Sequence, residues 1–306
     1  MKIFLFLASR RGYAVLKKLI AANAQIAGVL CLIEDPHEPQ YHLKISALAQ
    51  EHAIPLFNSA AVKPSGYADL IAQIKPDIAF AIGWRYLINK AAYSIPAKGT
   101  LIIHDALLPK YRGFAPMNWA IINGEKETGV TLFHIADGVD SGPIIDQLST
   151  PIHIEDTAQT VDERIIQLYE EIIIKNLPVL QSGTGEGVPQ DETQASYTCK
   201  RTPRDGAINW QNTAMQIYNL VRGLTHPFPG AHTFLNGKKI LVWQAQLPTR
   251  QEHYVGNIPG RIIGKREGMI EVLTGAGVLC LKRLQLEGEE EKDAAEIAVS
   301  VKDTLE

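Results

Sequence analysis

Apolar runs alternate with amphipathic stretches through the first part of the chain. The apolar runs lie at residues 3–8, 26–33 and 78–82, and the amphipathic stretches lie at residues 12–22, 44–53 and 67–74. Continuous apolar runs predict strands that are buried on both faces, and segments of about ten residues with helical spacing predict the crossover helices between them. The pattern therefore predicts an α/β fold with a Rossmann-like parallel sheet.

The periodicity changes after the first half of the chain. Further strands are predicted at 100–103, 130–135 and 144–147, and a long helix with Ile165, Leu168, Ile172 and Ile173 facing inward ends near Leu180. Gly, Ser, Thr, Gln and Glu then dominate, which is typical of a linker. One more helix at 214–224 precedes short strands separated by Gly-containing turns. We predict three segments: a Rossmann-like domain at 1–183, a linker at 184–205 and a smaller β-rich domain at 206–306.

Composition excludes several classes of protein. With 46% hydrophobic and 21% charged residues the chain is typical of globular proteins, and the net charge of −3 gives no bulk positive field that could hold a nucleic acid. Cys31, Cys199 and Cys280 are too far apart for a disulfide framework or a paired zinc site, so we expect a reducing, cytoplasmic environment and no metal. The first apolar run is too short for a membrane span.

Two short motifs carry candidate chemistry. The first strand is followed by a single glycine, at position 12, and not by the G-x-G-x-x-G pattern of dinucleotide-binding folds. His104 follows the strand at 100–103, and the ADGVDSGP motif at 136–143 ends another strand with two aspartates. A histidine at a strand end is as often structural as catalytic, and Asx turns explain many Asp-Gly motifs. The functional alternative is an acid–base pair of His104 with one of the aspartates.

A long series of motifs resembles the folate-dependent formyltransferase family, whose members include the methionyl-tRNA formyltransferases. The resemblance rests on HDALLPKYRG at 104–113, AP at 115–116, NW at 118–119, NGE at 123–125, ETGVT at 127–131, Asp137 to Gly142, Trp210 and HPFPGA at 226–231. The chain length and WRYLI at 84–88 are most similar to the branch that formylates amino groups of nucleotide sugars. The resemblance implies a Rossmann-like domain followed by an OB-like barrel, and 10-formyltetrahydrofolate as the co-substrate.

The resemblance also implies roles for individual residues. His104 and Asp140 match the family's catalytic histidine and aspartate, whereas Ile102 stands where the family's Asn-x-His motif has asparagine. Contacts with the folate are implied for Trp84, Leu87, Leu107, Leu108, Pro109, Asp137 and Asp140. Contacts with the acceptor are implied for Lys110, Tyr111, Arg112 and Asn118.

Ile102 is the main departure from the family pattern. Isoleucine cannot donate the hydrogen bond that stabilises the oxyanion formed when an amine attacks the formyl carbon, and the loss of one such donor typically costs about 10²–10³ in rate. Isoleucine at this position is similar to the hydrolase domain of 10-formyltetrahydrofolate dehydrogenase, where water takes the formyl group. Two alternatives to amine formylation therefore stay open: hydrolysis, and a catalytically silent protein that binds folate or a nucleotide.

The loop after the second strand bears on the acceptor. Methionyl-tRNA formyltransferases typically carry a basic loop here, but EDPHEPQYH at 34–42 has three acidic residues and no Lys or Arg. Since each phosphate contact needs a cation, this loop argues against tRNA. We expect a small-molecule acceptor, an amino sugar nucleotide, and no membrane partner; a homodimer is compatible with the sequence.

Overall fold

The computed structural model describes residues 1–183, 185–250, 252–298 and 300–306. These residues form two compact units. The first unit comprises Met1–Gly113, Thr128–Thr150 and Glu163–Thr198, and the second comprises Phe114–Glu127, Pro151–Asp162 and Cys199–Glu306. The division into 1–183, 184–205 and 206–306 stays a prediction, and its positions Thr184, Gln251 and Val299 lie outside the described residues.

The strands and helices alternate in the first part of the chain and give way to strands in the last part. The strands are β1 Ile3–Leu7, β2 Ile26–Cys31, β3 Leu56–Asn58, β4 Ile78–Ile82, β5 Thr100–His104, β6 Arg112–Gly113, β7 Glu127–His134, β8 Ile144–Pro151, β9 Tyr197–Thr198, β10 Ala231–Leu235, β11 Lys238–Gln246, β12 Ile262–Arg266, β13 Met269–Leu273, β14 Val278–Leu286 and β15 Glu291–Asp293. The helices are α1 Ser9–Ala21, α2 Tyr41–Glu51, α3 Tyr67–Ile74, α4 Lys90–Tyr93, α5 Pro116–Ile122, α6 Ala158–Ser182, α7 Ala214–Leu224 and α8 Ala294–Ile297. No helix of the described part of the chain is long and apolar enough to cross a membrane.

A seven-stranded sheet organises the first unit, in the order β3-β2-β1-β4-β5-β7-β8. The pairs from β3 to β5 are parallel, and β7 adds to β5 in the antiparallel direction. Every residue of β1 and of β4 is buried, because helices cover both faces of a parallel sheet. The predicted parallel sheet is confirmed.

An antiparallel sheet organises the second unit, in the order β10-β11-β14-β13-β12, with β15 beside β14. Its core contains Ile217 and Val221 of α7 together with Ile240 and Val242 of β11. Helix α7 begins at a capping box, in which Thr213 and Gln216 each bind the other's backbone N–H. The predicted smaller β domain is confirmed as an antiparallel sheet, and its closure into an OB-like barrel stays a prediction.

Part of the predicted linker has defined structure in the first unit. Strand β9 pairs in parallel with β6, so that Arg112 lies opposite Tyr197 and Gly113 lies opposite Thr198. A short 3₁₀ helix, Glu192–Gln194, precedes β9. Polar composition predicted a linker because side chains of this kind carry no hydrophobic periodicity, but here they bond to the loop that follows His104.

Candidate active site

The parallel strands end at an edge of the sheet where the strand order reverses. Strand β1 pairs with β2 on one side and with β4 on the other, which makes the gap beyond β1 and β4 a topological switch point. Gly83 follows β4 with φ of 63°, and a Cβ there would lie 2.7 Å from both the Ala8 carbonyl oxygen and Ser9 Oγ. Only glycine fits this close approach, at the edge where open α/β sheets bind ligands.

His104 is the last residue of β5. Leu101 and Ile103 are buried on one face of the strand, and Ile102 and His104 lie half-buried on the other. The Nε2 atom of His104 is 2.9 Å from the carbonyl oxygen of Tyr111. Because a carbonyl only accepts hydrogen bonds, this contact assigns a hydrogen to Nε2 and leaves Nδ1 as the basic atom of the neutral ring.

Asp140 faces that basic atom. Its Oδ2 lies 3.6 Å from Nδ1 of His104 and accepts a 2.8 Å hydrogen bond from the backbone N–H of Gly113. The Asp140 backbone has φ of 46°. Gln190 Nε2 donates to the carbonyl oxygens of Asp140 and Gly142, each at 2.8 Å, and so holds this turn. The carboxylate is thus placed to stabilise a positive charge on the ring of His104.

Ile102 lies on the same face of β5 as His104. Its backbone is paired with Ala81 of β4 and Phe133 of β7. Its side chain packs against the apolar cluster that includes Phe6 and Tyr67. An aliphatic side chain therefore occupies the strand position two residues before the histidine, and that position offers no hydrogen-bond donor.

Thr131 fixes the loop that follows His104. Its hydroxyl donates to the Ala106 carbonyl at 2.6 Å and accepts from the Leu108 N–H at 3.1 Å. Gln147 Nε2 donates to the same hydroxyl and to the Leu108 carbonyl, each at 2.8 Å. Leu108 is 3% exposed, whereas Leu107 and Pro109 are half-buried. Of the three predicted folate contacts in this loop, Leu108 therefore has a core position.

Three further predicted folate contacts lie around β4 and the turn after β7. Trp84 packs edge-on against Phe6 at 5.3 Å between ring centroids, and its buried indole Nε1 has no hydrogen-bond partner within the described ranges. Leu87 is 88% exposed. Asp137 is exposed and accepts a hydrogen bond from the Tyr93 hydroxyl, which lowers the pKa of its carboxyl below the ordinary value. The apolar side chain of Leu87 is thus open to a ligand, whereas the Trp84 donor is buried.

Arg112 does not face outward as an acceptor contact requires. It is 1% exposed, and its guanidinium donates to Glu192, Gln190 and Tyr197. The hydrogen bond to Glu192 is the main reason that the pKa of Arg112 is raised. This argues against an acceptor contact by Arg112, because its donors are already used within the protein, where they anchor the segment 190–197.

The other predicted acceptor contacts have varied positions. Lys110 is exposed and Tyr111 is half-buried. Asn118 belongs to the second unit, where it is 5% exposed and its Nδ2 donates to the Gly223 carbonyl at 2.8 Å. This argues against an acceptor contact by Asn118, since its amide nitrogen already binds helix α7.

Asp105, directly after His104, is a site neighbour that sequence reasoning did not identify. Arg11 forms a bidentate ion pair with it at 2.6 and 2.9 Å, and the Tyr169 hydroxyl donates to it as well. Burial alone would raise the pKa of Asp105, but the charge and hydrogen bonds of Arg11 and Tyr169 bring it below the ordinary value. Asp105 is therefore an ionised anchor beside the histidine.

Gln190 and Glu192 are also neighbours of the candidate site that the sequence did not indicate, because they lie in a polar stretch far from the motifs. Within the described residues, no group of three or more His, Cys, Asp or Glu side chains could hold a metal ion. At this edge a histidine–carboxylate pair lies beside an apolar wall, an arrangement that suits proton transfer.

Two family models match the chain. The model described as formyl transferase matches residues 2–177, and the model described as formyl transferase, C-terminal domain, matches residues 200–302. The first alone covers more than half of the chain.

Solved structures with the same fold include three with bound or added ligands. HypX from Aquifex aeolicus in complex with tetrahydrofolic acid aligns with a TM-score of 0.67 and 17% identity, over 98% of this chain and 47% of that one. This chain thus spans about half the length of HypX. WlaRD, a sugar 3N-formyl transferase solved in the presence of dTDP and 5-N-formyl-THF, aligns with a TM-score of 0.67 and 20% identity, over 95% of this chain and 99% of that one.

A third structure, the N-formyltransferase from Helicobacter canadensis in complex with folinic acid and dTDP-3-aminofucose, aligns with a TM-score of 0.69 and 20% identity, over 92% of this chain and 98% of that one. At these identities the likeness shows the fold, which agrees with the predicted fold class. From the two models together, the chain belongs to the formyl transferase family, as its motifs predict.

Proposed function

We propose that this protein transfers a formyl group from 10-formyltetrahydrofolate to the primary amine of a small acceptor, an amino sugar nucleotide. The observation that carries the proposal is the setting of His104, whose Nε2 donates to the Tyr111 carbonyl while its Nδ1 faces Asp140. A general base needs a basic atom, a fixed orientation and a group that stabilises its protonated form. His104 has all three.

The proton path follows from this geometry. The amine attacks the formyl carbon, and Nδ1 of His104 takes the proton that the nitrogen must lose. Asp140 stabilises the resulting imidazolium, and Gly113 keeps the carboxylate in place by donating its N–H. Nδ1 then returns the proton to the departing folate nitrogen, so His104 ends each cycle neutral.

The residues near β4 fit a folate. When bound, 10-formyltetrahydrofolate supplies a formyl group that already has the oxidation level of the N-formyl product, so the transfer needs no redox step. Its pterin carries hydrogen-bond acceptors on a ring system, Leu87 offers an exposed apolar side chain, and the buried Trp84 Nε1 has no partner among the described residues. Three proteins of the same fold carry tetrahydrofolate, formyl-THF or folinic acid in their structures, which supports the same class of co-substrate here.

A small amine acceptor is favoured over tRNA by the loop after β2. The loop has no cation that could bind a phosphate. Its acids are partly engaged: Glu34 is buried and accepts from His42 at 2.8 Å, and Glu38 pairs with Arg85 at 2.6 Å. WlaRD, a sugar 3N-formyl transferase of this fold, was solved in the presence of dTDP, and the N-formyltransferase from H. canadensis was solved in complex with dTDP-3-aminofucose. We therefore place amino sugar nucleotides first among acceptors.

One observation favours a second function, hydrolysis of 10-formyltetrahydrofolate. Isoleucine at position 102 is similar to the hydrolase domain of 10-formyltetrahydrofolate dehydrogenase, where water takes the formyl group. The missing hydrogen bond to the formyl oxygen costs amine transfer and hydrolysis alike about 10²–10³ in rate, because both reactions pass through the same oxyanion. In its protonated form, His104 offers Nδ1 as a donor on that face of β5. If a water molecule occupies the place of the amine, the same histidine and aspartate activate it.

The test measures tetrahydrofolate released from 10-formyltetrahydrofolate, first in buffer alone and then with a series of dTDP- and UDP-linked amino sugars. Release that depends on an amino sugar and yields the N-formyl sugar supports amine transfer. Equal release without any amine identifies hydrolysis. Absence of release in all conditions, with saturable binding of 5-formyltetrahydrofolate, identifies a silent binding protein and overturns the proposal.

A further inference from the structure

A cavity of about 280 Å³ lies within the second compact unit, separate from the residues of the proposed catalytic site. Its lining includes the polar and aromatic side chains of Arg222, His226, Trp243, Gln244, Gln246 and Lys282. His226 begins the HPFPGA motif, which the proposed transfer reaction does not use. The cavity thus gathers polar and aromatic groups that have no role assigned above.

The strand pairing directs two of these side chains. Between β11 and β14, Val242 pairs with Leu284, Gln244 with Arg283 and Ala245 with Leu281. Neither Trp243 nor Lys282 has a partner residue on the opposite strand, so β11 carries a bulge at Trp243 and β14 carries one at Lys282. A bulge re-aims the side chain of its extra residue, and both extra residues line the cavity.

The two cations of the cavity have unused donors. Lys282 is half-buried, and it forms neither an ion pair nor a hydrogen bond with any residue that the structure describes. Arg222 is 6% exposed; its Nε and Nη1 donate to Asn219, His153 and Asp156. No hydrogen bond among the described residues uses its Nη2. The guanidinium of Arg222 also lies 5.6 Å from the centroid of the Tyr218 ring. Neither Arg222 Nη2 nor Lys282 Nζ is a buried atom without a partner, so both are accessible to an anion in the cavity.

A flat aromatic wall stands beside these cations. The rings of His226 and Trp243 stack at 3.8 Å between centroids with an interplanar angle of 12°. Gly230 has φ of 85°, and a Cβ there would lie 3.0 Å from the Trp243 ring, so the motif leaves room for the indole. The Trp243 Nε1 donates to Gln285 at 2.7 Å, which fixes the plane of the ring.

We propose that this cavity is a second ligand site, which binds a sugar phosphate. Lys282 and Arg222 would bind the phosphate, and Gln244 and Gln246 would bind the sugar hydroxyls beside the aromatic wall. Within the lining, the exposed Glu155 is the one carboxylate beside two cations; outside the lining, the charge of Asp156 acts on Arg222, and the Glu291 carboxylate lies 3.3 Å from His226 Nε2. The volume suits a monosaccharide phosphate and is small for a nucleotide sugar, which distinguishes this site from that of the proposed acceptor.

The test is calorimetric titration of the full chain with ribose 5-phosphate, with ribose and with inorganic phosphate as separate probes. We expect saturable binding of ribose 5-phosphate, weaker binding of inorganic phosphate and none of ribose. Lys282→Gln should weaken binding of ribose 5-phosphate by about tenfold, because one charge-assisted contact is lost. Lys238→Gln is the matched control, since Lys238 is exposed at the start of β11 and outside the cavity lining.

A second readout locates the site. The indole N–H signal of Trp243, assigned with Trp243→Phe, should shift on titration, whereas the signal of Trp210 should not. No heat with any probe at about 10 mM, or equal affinity of the parent and Lys282→Gln, would overturn the proposal. So would a shift that spares Trp243. Equal affinities for inorganic phosphate and ribose 5-phosphate would show that the cavity does not recognise the sugar. None of these outcomes bears on the proposed formyl transfer at His104.

Discussion

The guanidinium of Arg112 and the carboxylate of Glu192 form two parallel hydrogen bonds, of 2.7 and 2.8 Å, between a buried and an exposed side chain. Glu192 lies in the polar segment that follows α6, and Arg112 lies in the loop that follows His104. The pair thereby joins the segment 190–197 to the loop that follows His104. Gln190, two residues earlier, holds the Asp140 turn.

This pair predicts that Glu192→Gln lowers both thermal stability and turnover. A glutamine can accept only one of the two hydrogen bonds and leaves the Arg112 charge without its partner, so Gln190 and the Asp140 turn lose support. The midpoint of thermal unfolding and the rate of tetrahydrofolate release should both fall. Glu186→Gln, in the same segment, is the control. An unchanged rate in Glu192→Gln would show that the segment has no part in positioning Asp140.

His104→Ala should reduce tetrahydrofolate release by about 10²–10⁴, the usual contribution of a general acid–base group. Asp140→Asn should reduce it as well, because an amide does not stabilise the imidazolium. Steady-state rates at saturating folate measure both effects. His153→Ala, whose ring is exposed in the second unit, serves as the matched histidine control. A His104→Ala enzyme with the parental rate would contradict the assignment of Nδ1 as the base.

Ile102→Asn should raise formyl transfer to an amine by about tenfold or more, equivalent to at least about 1.4 kcal/mol of transition-state stabilisation. The new amide would lie on the face of β5 that carries His104. Loss of apolar packing against the Phe6 and Tyr67 cluster should lower thermal stability at the same time.

The measurement for Ile102→Asn is the yield of N-formyl product from an amino sugar that the parent protein binds. Ile258→Asn, an exposed isoleucine of the second unit, is the control for a general effect of the substitution. If transfer by Ile102→Asn equals that of the parent, another group already stabilises the oxyanion and the role given to Ile102 is wrong.

Asp105 predicts part of the pH dependence of stability. Its pKa in the folded protein is below the ordinary value because of Arg11 and Tyr169, despite burial. A carboxyl with a lowered folded pKa stabilises the protein at every pH above its unfolded pKa of about 3.9, and this contribution is lost as the pH falls through the folded pKa. Asp105→Asn should therefore be less stable at neutral pH and lose less stability on acidification.

Urea unfolding between about pH 3 and pH 7 measures this difference, with Asp35→Asn as the control for an exposed carboxylate. Parallel stability curves for Asp105→Asn and the parent across that range would contradict the assigned ion pair.

Cys199 should be the one rapidly reacting thiol among the three cysteines. Burial, with help from Glu34, raises the pKa of Cys31 to about 12, and burial also raises the pKa of Cys280, whereas Cys199 is exposed. The thiolate is the reactive form. Ellman's reagent should therefore label a single equivalent in the native protein and three after unfolding, and Cys199→Ser should abolish the fast phase. Fast labelling of Cys199→Ser would show that Cys31 or Cys280 is accessible.

Hydrophobic periodicity predicted the elements of this fold closely. The predicted segments 67–74, 78–82 and 214–224 coincide with α3, β4 and α7. These elements bury one stripe or a whole strand, and burial is what the periodicity records. The order of strands and helices then restricts the sheet to a few topologies, which is why the fold class follows from the sequence.

The neighbours of the candidate site were not predictable in the same way. The motifs place His104 and Asp140 at strand ends, and the structure brings them within 3.6 Å. Gln190 and Glu192 are distant in the chain, and no period or spacing marks a polar side chain that will meet an arginine 80 residues away. Arg112 shows the opposite problem. Residue type alone does not distinguish an arginine that binds a ligand from an arginine that is buried in an ion pair.

The contact of His104 with the Tyr111 carbonyl has a consequence for how position 111 tolerates change. A main-chain oxygen belongs to every residue type, so no substitution can delete this acceptor; what can change is the path of the backbone that presents it. Tyr111 has φ of 61°, a conformation that glycine and asparagine adopt readily and that valine and isoleucine resist. The tautomer of the His104 ring is thus controlled by backbone handedness at position 111, whatever side chain that position carries.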